Sequence, residues 1–186
     1  MKLDVQPLTG DRFADLADLF GRKGASVARG CWCMFYRKSG VSGSAGEVNR
    51  RALRRLVGRG VVPGLIGYQG GTPVAWLSLG PREGYERLDR SSVMKPVDDK
   101  PVWSIVCFWV DPRARRRGTA GAMLQAGVAY ARSNGARLLE AYPVDHRAGS
   151  HPNWFGTTAM FEREGFREVA RRRKDRPVMR RGLRPR

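Results

Sequence analysis

A turn rich in arginine and glycine, residues 113–121, carries the clearest chemical pattern in this sequence. It lies between an apolar run and a stretch with helical spacing, so we expect a strand, a turn and a helix start in that order. The first N–H groups of a helix lack partners within the helix, and the helix dipole is positive at that end. A phosphate or pyrophosphate is therefore the predicted occupant of this turn.

The glycines of this turn matter more than its arginines. Gly118 and Gly121 remove side chains that would keep a phosphate away from the backbone. Arg115, Arg116 and Arg117 add positive charge around it. Two other phosphate-binding loops fit less well, because the turn lacks both the Gly-Lys-Ser/Thr ending of a P-loop and the G-x-G-x-x-G pattern of a dinucleotide site.

The elements on either side of the turn must hold it in place. Residues 101–110 are almost continuously apolar, which is typical of a strand buried on both faces of a sheet. Residues 119–133 predict a helix, because their apolar side chains repeat at helical spacing. Residues 137–142 predict the next strand, so we expect residues 102–142 to form a right-handed strand–helix–strand unit with parallel strands.

The rest of the sequence predicts further elements of a single α/β domain over residues 1–186. We expect a first strand over residues 2–8, helices near residues 13–20, 47–57 and 155–163, a hairpin over residues 63–79 and a charged hairpin over residues 166–181. This order indicates a mixed sheet flanked by helices. The aromatic and sulfur-rich residues 30–37 predict either a buried strand or irregular core.

The chain is strongly basic, with 35 Lys and Arg against 17 Asp and Glu and a net charge of +18. Such charge attracts polyanions, and an arginine-rich composition bias is the alternative explanation. No apolar run reaches the length of a membrane span and residues 1–9 lack a signal-peptide pattern, so we expect a cytoplasmic protein without a membrane partner. The three cysteines are expected to be reduced, and their spacing predicts no metal site.

Two segments together resemble the GNAT superfamily of N-acetyltransferases. The family pattern Q/R-x-x-G-x-G/A is matched by residues 115–120, R-R-R-G-T-A, which follow a strand ending in W-V-D-P. Residues 160–166, M-F-E-R-E-G-F, are similar to a second family segment. The resemblance is firm over residues 102–166 and implies a sheet whose central parallel strands splay apart.

This resemblance implies a cofactor and a reaction. Acetyl-CoA would lie in a V-shaped opening between the strands ending at Val110 and Tyr142, and a small-molecule or peptide amine would attack its thioester directly. Main-chain groups of Phe108 and Val110 would bind the pantetheine arm as an added strand does. The cofactor-binding residues implied in this way are Phe108, Trp109, Val110, Arg115, Arg116, Arg117, Gly118, Thr119, Ala120, Gly121 and Phe161.

One departure from the family concerns the catalytic acid. Many members carry a tyrosine at the position of Phe161, and a phenyl ring cannot protonate the leaving thiolate. Tyr142 is the predicted substitute, unless the thiolate leaves unassisted, and Glu140 or Asp145 is the predicted general base. Cys31, Trp32 and Tyr142 are the predicted acceptor-pocket residues; His146 and His151 are secondary candidates for a proton relay.

Two classes of function stay open at this point. The first is an active acetyltransferase, monomeric or homodimeric, which the phosphate-binding turn favours. The second is a basic nucleic-acid-binding module, or a catalytically silent CoA-binding one, on the same fold; the net charge and Phe161 favour it. The identity of the amine acceptor has no diagnostic motif in the sequence.

Overall fold

A seven-stranded mixed sheet forms the centre of the protein. In the computed structural model, which describes residues 3–38, 45–145 and 153–183, the strands follow the order β1-β2-β3-β4-β5-β7-β6. Only β4 and β5 are parallel among the pairs, which confirms the mixed α/β sheet. The strands are β1 (Asp4–Pro7), β2 (Gly64–Gln69), β3 (Thr72–Pro81), β4 (Trp103–Val110), β5 (Leu138–Ala141), β6 (Arg167–Arg173) and β7 (Arg176–Gly182).

Helices cover both faces of this sheet. On one face, α4 and α5 contribute to a core with Leu77, Ile105 and Leu139. On the other face, the first three helices enclose a second core around Phe20, Trp76 and Trp109. The helices are α1 (Phe13–Gly21), α2 (Ser26–Cys31), α3 (Gly46–Gly58), α4 (Thr119–Ser133) and α5 (Thr158–Arg163). No helix in the described ranges is long and apolar enough to cross a membrane.

The two parallel strands separate soon after they meet. They pair only at Trp103–Leu139, Ser104–Glu140 and Ile105–Ala141, although β4 continues to Val110. A register shift against β3 leaves one extra residue in β4, because Ser78 pairs with Cys107 and Leu79 with Ile105. Such a bulge bends a strand. The result is an opening along the last residues of β4, the splayed centre implied by the family resemblance.

Residues 30–37 take the irregular form, the second of the two alternatives predicted for them. Residues 30–37 do not form a strand: α2 ends within them, and Trp32 and Cys33 follow with φ values of 47° and 52°. This left-handed turn places the Trp32 ring against Phe13, with the ring centroids 6.0 Å apart. Aromatic packing therefore outweighs the strand propensity of the segment.

The helix predicted near residues 155–163 begins later, at Thr158. Gly156 precedes it with a φ of 74°, and the Thr157 hydroxyl accepts a hydrogen bond from the N–H of Met160 as the N-cap. The two predicted hairpins, β2–β3 and β6–β7, are confirmed.

Candidate functional site

A cavity of about 540 Å³ lies where β4 has parted from β5. The end of β4, the arginine-rich turn and the first turn of α4 form one side, and residues 154–163 form the other. The lining residues are Phe108, Trp109, Val110, Arg115, Arg116, Gly118, Thr119, Ala120, Gly121, Trp154, Gly156, Thr157, Met160 and Arg163. We call this space the groove. It brings together nine of the eleven residues implied as cofactor-binding.

Asp111 fixes the turn that leads from β4 to the groove. Its carboxylate accepts hydrogen bonds from the backbone and guanidinium of Arg113 at 2.9–3.1 Å, and from Arg22 at 3.1 Å. These donors, Arg113 first, hold the pKa of Asp111 well below its usual range. The same bonds direct Arg113 away from the groove, so that Arg115 and Arg116 supply the charge there.

The start of α4 presents free backbone to the groove. Gly118 is the N-cap residue, with a φ of 77°, and the buried Thr119 hydroxyl donates to the Ala114 oxygen at 2.6 Å. A Cβ atom built at Gly118 or Gly121 would meet no heavy atom within 4 Å. The space over both glycines is therefore open, as close approach of a phosphate to the first N–H groups of α4 requires.

The edge of β4 that faces the groove is a row of backbone groups. The N–H of Asp111 donates to the Val74 oxygen at 2.8 Å, so this residue faces β3. Since backbone groups alternate along a strand, the N–H and C=O of Phe108 and Val110 face the opening instead. The Val110 oxygen accepts a hydrogen bond from Arg115 Nε at 2.8 Å.

The far side of the groove was not predicted from the sequence. The N–H of Val144 donates to the Gly156 oxygen at 3.0 Å, which ties this segment to the end of β5. A Cβ at Gly156 would lie 2.5 Å from the Met160 side chain and 3.0 Å from Phe161. The Gly-Thr pair ahead of a helical run was the available signal, because threonine is a preferred N-cap.

Two residues implied as cofactor-binding do not line the groove. Arg117 is exposed outside it. Phe161 is fully buried between Phe108 and Phe166, with ring centroids 6.1 and 5.0 Å away. Phe161 therefore supports the strand that lines the groove, and its apolar ring suits this packing position.

A second cavity of about 240 Å³ adjoins the groove and shares Phe108, Trp109 and Trp154 with it. We call it the aromatic pocket. Its lining residues are Phe20, Val27, Ala28, Cys31, Cys33, Phe35, Tyr36, Val106, Cys107, Phe108, Trp109, Trp154 and Phe155. Cys31, one of the predicted acceptor-pocket residues, lines this cavity. Trp32 does not, because its left-handed backbone turns the ring into the core, where it is 4% exposed.

Two of the thiols that line the aromatic pocket, those of Cys31 and Cys33, have raised pKa values. Burial raises the pKa of Cys31 to about 11, and Cys107 together with burial raises the pKa of Cys33 well above its ordinary value. Cys33 Sγ also accepts a hydrogen bond from Trp76 Nε1 at 3.1 Å. The pocket is therefore apolar despite its sulfur atoms.

The predicted catalytic pair, Glu140 and Tyr142, lines neither cavity. Glu140 is fully buried and bonds Arg82 at 2.9 Å and Arg180 at 2.7 Å. The Tyr142 hydroxyl donates to Glu140 at 2.7 Å and accepts from Arg82 at 2.6 Å, with Ser104 Oγ 2.9 Å away. The expected position of Tyr142 at the cleft mouth is wrong, since these partners draw its hydroxyl inward.

The other predicted proton-transfer groups are also distant or fall outside the described ranges. Asp145 lines neither cavity and forms an ion pair with Arg171 at 3.1 Å. His146 and His151 lie outside the described residues. The geometry thus favours structural roles for Glu140, Tyr142 and Asp145 over the catalytic roles predicted for them.

Tyr36 lines the aromatic pocket, although the sequence predictions did not include it. All five tyrosines of the chain lie within the described ranges, and the other four line neither the pocket nor the groove. Tyr36 is half-buried, and its ring lies 6.2 Å from that of Phe155. Burial raises the pKa of its hydroxyl to about 12, so the phenol stays protonated near neutral pH.

Comparison with known proteins identifies a family for most of the chain. The model of the acetyltransferase (GNAT) family matches residues 44–166. This stretch contains the groove in full, from Phe108 to Arg163. No curated protein sequence matches the chain significantly.

Solved structures share the fold at low sequence identity. PaiA N-acetyltransferase from Thermoplasma acidophilum, solved with coenzyme A, is 12% identical with a TM-score of 0.56, over 98% of this chain and 100% of that one. An acetyltransferase from Thermus thermophilus is 19% identical, with a TM-score of 0.58 and 98% of both chains covered. The Drosophila melanogaster polyamine N-acetyltransferase is 11% identical, with a TM-score of 0.58 over 98% and 100% of the chains.

Proposed function

Because this chain belongs to the GNAT family of acetyltransferases, we propose that it transfers an acetyl group from acetyl-CoA to a primary amine by direct attack. The observation that carries the proposal is the free backbone edge of β4 beside the open start of α4. A strand edge binds an amide-containing arm, and a helix start binds a pyrophosphate. Acetyl-CoA contains both groups in one molecule.

In this proposal, each part of the donor has a counterpart among the residues that line the groove. The N–H groups of residues 116–121 would hold the pyrophosphate, with Arg115, Arg116 and Arg163 supplying charge around it. The main-chain groups of Phe108 and Val110 would bond the amides of the pantetheine arm. The thioester would then reach the wall that the groove shares with the aromatic pocket, where Phe108, Trp109 and Trp154 meet.

The aromatic pocket would hold the acceptor against this thioester. The amine nitrogen forms the new C–N bond, the C–S bond breaks, one amine proton goes to solvent and the sulfur gains a proton. Holding both reactants in one geometry supplies much of the rate enhancement of such a reaction. A backbone N–H on the open edge of β4 would polarise the thioester carbonyl.

Tyr36 is the acid that this geometry favours. Tyr36 lines the pocket that the acceptor would enter, whereas Tyr142 is enclosed in the network around Glu140. A phenol with a pKa of about 12 stays protonated at neutral pH and can donate to a developing thiolate. This assignment answers the absence of a tyrosine at position 161.

Titration with acetyl-CoA tests the proposal directly. We expect calorimetry to give a dissociation constant of tens of micromolar or tighter, on the order of −6 kcal/mol or more. We also expect release of free CoA thiol that depends on an added amine, with an acetylated product by mass spectrometry. Failure to bind acetyl-CoA would refute the proposal, and binding without any acetyl transfer would leave a silent CoA-binding protein.

A second function has one specific observation in its favour. The outer face of α3 exposes Arg51, Arg54 and Arg55, with Arg59 exposed just beyond its end. Such a face suits a polyanion such as nucleic acid. If this function is correct, the affinity for nucleic acid should fall steeply as the salt concentration rises and should not change when acetyl-CoA is added.

A further inference from the structure

The aromatic pocket has walls without charge. Its thirteen lining residues are aromatic, aliphatic or thiol-bearing, and the Tyr36 phenol is the only hydroxyl among them. All 17 Asp and Glu residues of the chain fall within the described ranges, and none of them lines this pocket. A cationic group entering the pocket would therefore meet no carboxylate.

Two positive charges lie near the pocket. The Arg87 guanidinium stacks over the Phe35 ring at 3.9 Å, and that of Arg176 over the Phe155 ring at 4.0 Å. Arg176 is 8% exposed, so solvent screens its charge poorly. Both cations lie behind aromatic walls of the pocket and would repel a second cation inside it.

From this arrangement we infer that the acceptor is a small primary monoamine carried on an apolar, ring-bearing body. The inference rests on the proposed acetyl transfer and names the acceptor class. Rings find stacking partners in Phe35, Tyr36, Trp154 and Phe155, and a volume of about 240 Å³ suits one small molecule. A polyamine would have to bring a second ammonium group into apolar surroundings without a partner.

The same surroundings explain how the amine becomes a nucleophile without a carboxylate base. An ammonium ion in an apolar pocket is destabilised by desolvation, and the two neighbouring guanidinium groups add repulsion. Both effects favour the neutral amine, which has the free electron pair needed for attack. Solvent accepts one proton as the ammonium ion enters as a neutral amine, so the pocket takes the place of a general base for that step. The second proton, which the nitrogen loses after attack, replaces the proton that Tyr36 gives to the sulfur.

A comparison of acceptors tests the inference. The probes are 2-phenylethylamine, agmatine, spermidine and Nα-acetyl-lysine methyl ester, each with acetyl-CoA and a free-thiol readout. We expect kcat/KM for 2-phenylethylamine to exceed that of each other amine by roughly 10- to 100-fold, as burial of one ring predicts. Equal or faster turnover of agmatine, spermidine or the lysine ester would overturn the inference.

A matched pair of variants adds a second arm. Val27 lines the pocket at its rim and is 51% exposed, so either substitution should leave the fold intact. Val27→Asp places a carboxylate at the rim, whereas Val27→Asn has the same shape without the charge. We expect Val27→Asp alone to raise agmatine turnover relative to 2-phenylethylamine, by about 2- to 5-fold for an exposed charge pair. The same ratio in both variants would count against the inference.

Binding measurements separate this inference from the proposed function. If acetyl-CoA does not bind, the proposed function fails whatever the acceptor. If acetyl-CoA binds but no probe is acetylated, 2-phenylethylamine is titrated into the CoA-saturated protein. Binding of 2-phenylethylamine in preference to agmatine would support the acceptor class, and no binding or the reverse preference would refute it.

Discussion

Arg115 Nε donates a hydrogen bond to the main-chain oxygen of Val110 at 2.8 Å. The contact places a guanidinium across the open edge of β4, at an oxygen that an amide of the pantetheine arm would use. A carbonyl oxygen can accept two hydrogen bonds, so Arg115 can share this acceptor with the arm while its charge stays near the pyrophosphate. The residue thus links the two ends of the groove.

Replacing Arg115 should therefore weaken the binding of acetyl-CoA more than replacing Arg117 does. We expect Arg115→Gln to reduce the affinity for acetyl-CoA by roughly 3- to 10-fold, the loss of one exposed charge-assisted contact. Arg117→Gln removes the same charge outside the groove and should change the affinity by less than about twofold. Calorimetric titration of both variants checks this, and equal losses would contradict the contact's role.

A side chain at Gly121 should block the pyrophosphate site without harming the fold. A Cβ there meets no atom within 4 Å, and glutamate is a better helix former than glycine. We expect Gly121→Glu to lower acetyl-CoA affinity by roughly 100-fold, because about 3 kcal/mol of charged hydrogen bonding is lost. Gly58→Glu, on the exposed end of α3, carries the same change in charge and should bind normally.

This choice of position matters for the test. Gly118 has a φ of 77°, so any substitution there also strains the backbone. A loss of binding after substitution of Gly118 would mix strain with blockage of the site. Unchanged affinity in Gly121→Glu, with a normal melting temperature, would instead refute the position of the pyrophosphate.

Removal of the Tyr36 hydroxyl should slow the chemical step. We expect Tyr36→Phe to lower kcat by about 10- to 100-fold with little change in KM, within the lower range for loss of a general acid. The acid form exists below its pKa of about 12, so the wild-type rate should show no fall from this group between pH 7 and pH 10, a range set by that pKa. A variant with wild-type kcat would exclude Tyr36 as the catalytic acid.

Tyr142→Phe should affect stability rather than catalysis. The buried hydroxyl has three hydrogen-bond partners, and we expect its removal to lower the free energy of unfolding by about 1–3 kcal/mol. Because Tyr142 lines neither cavity, kcat should stay within about threefold of wild type. A large loss of kcat in a stable variant would restore Tyr142 as the catalytic acid.

Asp111 should make the protein sensitive to acid. Its pKa is held below the usual range, so its contribution is present above the ordinary carboxyl pKa and is lost as the pH falls through the lowered value. We expect Asp111→Asn to lower the free energy of unfolding by about 1–3 kcal/mol at pH 7, with a smaller difference near pH 2. Urea unfolding at both pH values measures this; an equal difference at both would exclude the ion pairs as the cause.

The local part of the site could be predicted from the sequence. The apolar run of β4, the turn at Gly118 and the apolar stripe of α4 follow one another in the chain. Each of these sequence patterns predicts the local structure of its own residues. Nine of the implied cofactor-binding residues consequently line one groove. What the sequence could not supply is how distant segments meet.

Glu140 and Tyr142 illustrate that limit. Their position at the end of a central strand suggested a cleft, but the partners that bury them, Arg82 and Arg180, come from segments far along the chain. Tyr36 was missed for the same reason. Its segment was ambiguous between strand and irregular core, and only the packing of Trp32 on Phe13 brings Tyr36 to the wall opposite Phe155.

The brief meeting of β4 and β5 has a consequence for the cooperativity of the molecule. Three residue pairs between β4 and β5 join the two parts of the sheet, which are β1 to β4 on one side and β5 to β7 on the other. A donor molecule that bonds along the free edge of β4 and also contacts residues 154–163 would add a second connection between these two parts. Binding would then slow amide hydrogen exchange in β5 and β7 as well, although the proposed donor contacts neither strand.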